Sequence, residues 1–338
     1  MKAMVLKAPG DLVLDEVSRP GAGAGQVLIR VTYSGVCGTD LKIYNGAIPV
    51  KYPRIMGHEM IGEVAEGSSD AAFKPGDRVI VDPELFCGAC FHCRIGQTHL
   101  CPNGMLLGRD ANGGFAEYVT APADHVFLLP DSIDSRAAPL IQVLTTCLHA
   151  QRLAKISPGE SVVVLGLGVT GQLHVQLAKA RGAGPVIGIT RSAAKRELAE
   201  KLGADLTLAS GEGTIQKVLE ATDGRGADLI IESTGTMASL ADAIHMARFG
   251  GRLLLFGIIT ATEGALPFYQ LYFKELALIN ARVAKSEDYP ESIGLVQRGT
   301  IRLEPLVSHV MPFGELKTAI GMLSAEGGQR MKIILEHR

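Results

Sequence analysis

The sequence predicts a two-domain α/β chain, with a strand-rich, barrel-like first domain and a doubly wound parallel sheet after it. Three observations lead there. The length, 338 residues, is roughly twice the usual domain size. Up to about residue 130, short β-branched runs are punctuated by Gly, Pro and Asp. From Ser161 onward, apolar strand, Gly-rich turn and amphipathic helix follow one another in repetition.

In chain order, VLIRVTY, RVIVD, AEYVT and HVFLLP read as strands of the first domain. The helical stretch LTTCLHAQRLAK ends at KISPGE, residues 155–160, where Pro and Gly interrupt it. The boundary is expected there, with residues 1–150 in the first domain and 151–284 in the second. SVVVLGLGVTG, PVIGIT with RSAAKRELAEKLGA, ADLIIESTG and GRLLLFGI supply the repeating strands and helices, and LALINARV a further strand. The tail, residues 285–338, carries one helix, FGELKTAIGMLSAEGG, and a last strand, RMKIILE. It is too short to fold alone, so it is expected to return to the first domain.

Hydrophobic residues make up 47%, charged residues 20%, and the formal net charge is -2. No dominant electrostatic field results, which argues against nucleic acid as the main partner. No apolar run approaches the roughly 18 to 20 residues that span a bilayer, and MKAMVLKAPGDLVL lacks a leader's long apolar stretch. A soluble, cytoplasmic protein without a membrane partner is expected.

CGACFHCRIGQTHLC places Cys87, Cys90, Cys93 and Cys101 so close that four thiolates can wrap one ion. Zinc suits them because it accepts four sulfurs tetrahedrally and needs no open position in a structural site. An iron–sulfur cluster is the rival, but its usual third gap is about three residues, and here seven intervene. A closed four-thiolate site offers no place for substrate, so the lobe is read as structural. His92 and His99 are read as surface residues.

Cys37 lies in GVCGTD, and His58 and Glu59 lie in GHEMIGE. Singly, such residues are more often buried apolar cysteine and satisfied core histidine. Together with the lobe, GGFAEYV and GLGVTG, in this order and spacing, the chain resembles the zinc-dependent medium-chain alcohol and polyol dehydrogenases over nearly its whole length. The resemblance implies a GroES-like β-rich catalytic domain, a Rossmann domain, and catalytic zinc in a cleft between them. Cys37 and His58 are then zinc ligands, and Asp40 orients His58 through its other ring nitrogen. Thr39 is the hydroxyl that hands the substrate proton onward, an N-cap being its local alternative. Glu59 is either a carboxylate behind the ligands or a ligand that exchanges with water.

Two positions depart from the family pattern. The usual third ligand, Cys or Glu, aligns with Gln142, a neutral amide donor that leaves the centre more positive. The expected catalytic set is therefore Cys37, His58 and Glu59, with Gln142 close enough to contribute. Lys42 stands where many relatives carry a relay histidine, and it is more suited to cofactor phosphate or solvent.

VVVLGLGVTG puts Gly166, Gly168 and Gly171 between an apolar strand and a helix, where backbone amides at the helix start approach a pyrophosphate. The next strand ends not in Asp or Glu but in Thr190, Arg191 and Ser192. With no carboxylate to repel a phosphate, and a guanidinium and hydroxyls to bind one, NADP is favoured over NAD. By resemblance, Thr146 faces the nicotinamide, Lys332 reaches the pyrophosphate, and residues 256–258 line the nicotinamide pocket. The expected activity is hydride transfer between a secondary alcohol, polyol or sugar and the cofactor, with zinc as a Lewis acid and Thr39 taking the proton. Tyr44, Ile48, Leu106 and Phe115 are loose substrate-facing candidates. The rivals are a metal-free quinone or enone reductase on the same architecture and a nonenzymatic NADPH-binding regulator. Relatives also imply a homodimer or homotetramer, with LALINARV as the pairing edge.

Overall fold

In the computed structural model, which describes residues 1–67, 73–324 and 330–337, the strand Gln26–Val36 organises the N-terminal part of the chain. Val27, Ile29 and Val31 point to one face and are fully buried; on the other face Arg30 is exposed, while Leu28 and Ser34 are also buried, so both faces are covered over part of the strand. One edge pairs antiparallel with Glu59–Gly67. The other edge pairs first with Tyr118–Pro122 and then, over residues 33–36, with Lys332–Glu336 from the tail. The sheet runs Val126–Leu128, Arg78–Val81, Glu59–Gly67, Gln26–Val36, Lys332–Glu336, Val307–Pro312. A hairpin, Lys2–Ala8 with Asp11–Glu16, and the short strand Arg54–Ile55 make a second, three-stranded sheet.

The chain divides into two units, Met1–Val143 with Lys285–Gly299 and Leu303–Arg338, and Leu144–Ala284 with Thr300–Arg302. The division falls inside the helix Leu140–Ala154, a few residues before the expected boundary at 150. No Gly or Pro interrupts that helix until Pro158, so the sequence offers no punctuation at the place where the contacts change. The tail's strand lies in the first unit, as does its helix Leu316–Ser324. Residues 325–328, the end of the expected helix, lie outside the described residues.

The second unit is a six-stranded sheet with every pair parallel. Its order is Leu206–Leu208, Val186–Ile189, Val162–Leu165, Ala227–Glu232, Ala247–Leu255, Ala277–Asn280. Numbered along the chain this is 3-2-1-4-5-6, the doubly wound order. Val162, Val163, Val164, Ile187, Ile230 and Leu253 are all fully buried. Helices on both faces require these continuous apolar runs, with no alternation to a wet side.

Candidate metal centres and dinucleotide turn

Where the strand Gln26–Val36 ends, Cys37 takes an extended backbone and caps the helix Gly38–Tyr44. Its sulfur accepts the Thr39 N–H at 3.3 Å, and Asp40 Oδ2 accepts the Cys37 N–H at 2.9 Å. This is a capping box with sulfur in place of a hydroxyl. The N-cap is thus Cys37, so Thr39 has no capping role, and its hydroxyl makes no hydrogen bond among the described residues. The cap fixes both the thiol and the carboxylate. Asp40 is fully buried, and its second oxygen faces His58 Nδ1 at 3.6 Å. Each of these two atoms is buried without another partner. With Nδ1 turned toward Asp40, Nε2 faces the Cys37 sulfur, 3.2 Å away.

Glu59 begins the neighbouring strand, and both its oxygens lie 2.7 Å from Lys332 Nζ. The Cys37 sulfur, a His58 ring nitrogen and a Glu59 oxygen all lie within 4.8 Å of one another. Burial alone depresses the His58 imidazole, but the Cys37 sulfur, Asp40 and Glu59 outweigh it and push it up to about 10. A buried nest of one sulfur and two carboxylates favours positive charge. The donor types and their convergence fit zinc, whose tetrahedral sulfur-to-nitrogen edge is about 3.6 Å.

The second cluster is closed. Its sulfur separations are 3.5 Å for Cys87–Cys101, 3.4 Å for Cys90–Cys93, 3.8 Å for Cys90–Cys101 and 4.0 Å for Cys87–Cys93. Four sulfurs at zinc–thiolate length sit about 3.8 Å apart, so the set fits a single zinc. It is too tight to enclose several irons and their sulfides. Backbone amides of Ala89 and Cys90 pull the Cys87 thiol down to about 6, whereas loss of hydration pushes Cys93 up to about 12.

In the second unit, the strand Val162–Leu165 turns through Gly166 and Gly168 into the helix Val169–Ala180. Gly166 has φ +90°, a backbone that side chains rarely adopt. A Cβ on Gly171 would fall 1.8 Å from the Gly166 oxygen, so helix and turn approach as closely as a pyrophosphate-binding turn requires. Thr190, Arg191 and Ser192 follow the strand Val186–Ile189, and Ser192 precedes the helix Ala193–Lys201 as its N-cap residue. Arg191 is exposed.

The model for an alcohol dehydrogenase GroES-like domain matches residues 23–131, and the model for a zinc-binding dehydrogenase matches residues 169–298. The L-threonine 3-dehydrogenase of Pyrococcus horikoshii is 37% identical over 91% of each chain. The sorbitol dehydrogenase of Halalkalibacterium halodurans is 31% identical over 99% of each. The chain belongs to the zinc-dependent medium-chain dehydrogenase family. Among solved structures, a zinc-binding dehydrogenase chain from Sinorhizobium meliloti bound to NADP superposes with TM-score 0.94 at 30% identity, covering 99% of each chain. An Escherichia coli alcohol dehydrogenase complexed with NADH gives TM-score 0.92 at 28% identity, covering 100% of this chain and 99% of that one. As a member of the family, the chain is an oxidoreductase that uses zinc and a nicotinamide cofactor.

Within this dehydrogenase, several residues stand apart from their sequence reading. Lys332, expected on the pyrophosphate, is 4% exposed and bound to Glu59, with Val36 O a further acceptor at 3.4 Å. Burial lowers its affinity for a proton, but Glu59 and Cys37 more than restore it, so the ammonium is the counter-ion of the carboxylate. Phe115, a substrate-facing candidate, is fully buried in the core with Met56 and Ile43. The Tyr44 hydroxyl donates to Gly10 O. Ile48 packs against that same core, and Leu106 is buried. Gln142 is buried in the first turn of its helix, with no side-chain hydrogen bond among the described residues, and Thr146 lies one turn on, in the second unit. Lys42 sits in the last turn of the Cys37-capped helix. Phe256 stands edge-on to the buried His174 ring at 4.6 Å, whereas Ile258 is exposed.

Two residues escaped the sequence reading. Arg196 donates to the Thr190 and Arg191 carbonyls at 3.0 Å, holding the loop after the second strand. Its signal was the i+5 spacing from Arg191 on one helix start. Glu232, fully buried, accepts from the Thr234 and Gly235 N–H groups and from Ser239 Oγ. Thr234 packs against the Gly166 turn, and nothing in ADLIIESTG distinguishes this glutamate from a strand end.

Proposed function

We propose that this enzyme transfers hydride between a secondary alcohol, polyol or sugar and a nicotinamide cofactor, with NADP preferred. The observation that carries the reading is the convergence of Cys37, His58 and Glu59, whose ligand atoms lie within 4.8 Å of one another. In the proposed assignment Cys37, His58 and Glu59 hold the catalytic zinc, with the buried Gln142 amide as a further donor, while Cys87, Cys90, Cys93 and Cys101 hold a structural one. Catalytic zinc supplies Lewis acidity toward an alcohol hydroxyl. Asp40 keeps the His58 ring turned so that Nε2 stays a donor. Thr39, whose backbone N–H donates to the Cys37 sulfur, takes the substrate proton on its hydroxyl while passing its own to water.

For the cofactor, the assignment places the pyrophosphate on the amides after Gly166 and Gly168, with Gly171 permitting the approach. Thr190, Arg191 and Ser192 take the extra phosphate of NADP, and Arg196 braces their loop. Thr146 and residues 256–258 are assigned to the nicotinamide end. Lys332 is assigned to Glu59 in place of the pyrophosphate. Related chains named sorbitol and L-galactonate-5-dehydrogenase support a polyhydroxylated substrate. We further assign a homodimer or homotetramer, because Ala277–Asn280 is an edge of the parallel sheet and the preceding helix exposes Phe268, Tyr269 and Tyr272. Six free cysteines suit a reducing compartment such as the cytoplasm. No described helix is long and apolar enough to cross a membrane.

The experiment is a panel of secondary alcohols, polyols and aldoses with NADP and NAD on zinc-replete protein, following reduced-cofactor absorbance. Turnover of a polyol or sugar that a chelator abolishes is expected. Reduction of enones that persists without zinc would instead establish the metal-free reductase.

A further inference from the structure

Gly35 and Glu59 stand directly opposite one another on adjacent antiparallel strands. Lys332 belongs to the strand on the far side of Gly35. To reach the ammonium, the Glu59 side chain must therefore cross the central strand, and it does so over Gly35. A Cβ at that position would lie 2.1 Å from Glu59 Oε2 and 3.2 Å from both Glu59 Cβ and Cδ. Gly35 does not have the left-handed backbone that demands glycine. The need for glycine here is spatial, and what it makes room for is one carboxylate.

We propose that Gly35 is the positioning residue of the Glu59–Lys332 pair, and through it of the Cys37–His58–Glu59 centre. The inference rests on reading that centre as a zinc site. A methyl group at residue 35 meets the movable end of a side chain, while the backbone pairing on both edges of the strand is untouched. The collision is therefore relieved by the carboxylate and not by the fold. Glu59 is 2% exposed and Lys332 4%, so neither can turn to water when they are forced apart. The displacement is delivered to the metal donors, the other polar groups within reach of the carboxylate.

The test is Gly35→Ala in full-length protein, with zinc bound per chain and zinc affinity measured by chelator competition. The four-cysteine zinc serves as an internal reference. The expected result is a folded protein whose second zinc is held roughly 10 to 100-fold more weakly, with the reference zinc unchanged. In a Glu59→Ala, Lys332→Met background, which removes the colliding oxygen and its counter-ion together, Gly35→Ala is expected to add no further loss. Wild-type zinc affinity in Gly35→Ala, or an equal extra loss in that background, overturns the proposal. If Gly35→Ala alone does not fold, the triple variant is expected to fold, and its failure would also overturn it. Should Cys37→Ser leave zinc content unchanged, the metal-centre reading fails on its own. Gly35 is then judged by melting temperature, which must fall in the wild-type background and not in the substituted one.

Discussion

Arg191 stands exposed at the end of the second parallel strand, without an acidic partner among the described residues, and its backbone carbonyl is held by Arg196. A guanidinium so placed has no competing intramolecular ion pair among the described residues, which is what the proposed phosphate contact requires. Arg191→Ala is expected to weaken NADP roughly 10 to 100-fold and NAD by less than threefold, measured as dissociation constants. Parallel losses for both cofactors would remove Arg191 from the 2'-phosphate. The departure at this position was legible, because the absence of Asp or Glu at a strand end is visible in one dimension. The Glu59–Lys332 pair was not, since 273 positions separate its members and only the sheet brings them together. Lys332 shows the physical reason. A lysine at the start of a last strand, taken from sequence, has no way to declare whether its ammonium meets cofactor or a buried carboxylate.

At the scale of elements, short-range signals served best. The Gly-rich turn and the cysteine lobe are each contained in a few residues, and the structure shows their close approach and their tetrahedral spacing directly. The N-cap alternative for Thr39 already implied a helix there, but not that Cys37 would be the residue capping it. Sulfur is a poor acceptor, and the cap works because Asp40 closes the box from the other side. The lobe itself has little regular structure beyond the short helix Phe91–Arg94 and one turn at Thr98–Leu100. On the proposed zinc assignment, its order comes from the ion more than from packing. Cys90→Ser is accordingly expected to leave one zinc per chain in place of two and to lower the melting temperature by on the order of 5–10 °C. Calorimetry with metal analysis checks it, and an unchanged melt with full zinc would show that the lobe holds itself together. The domain boundary was less legible, because it lies within one unbroken helix and leaves no Gly or Pro behind.

For the whole molecule, two kinds of information combine. The repeating strand-and-helix texture predicts the parallel sheet, whose strands are continuous apolar runs buried on both faces. The first unit is held by pairings between distant segments. Its central strand is also paired by Lys332–Glu336 from the tail, so Glu59 meets Lys332 only when the tail has returned. Substrate choice depends on side chains that share no motif, and for that reason Phe115, selected by its place in the sequence, proved to be core. The central claim is that the Cys37 and His58 donors hold a zinc on which turnover depends, apart from cofactor binding in the other unit. It is tested most directly by Cys37→Ser, with zinc per chain, NADP affinity and turnover measured on one preparation. One zinc lost, turnover reduced by at least about a thousandfold and NADP affinity within twofold of wild type are predicted. Two zincs retained with undiminished turnover would contradict it.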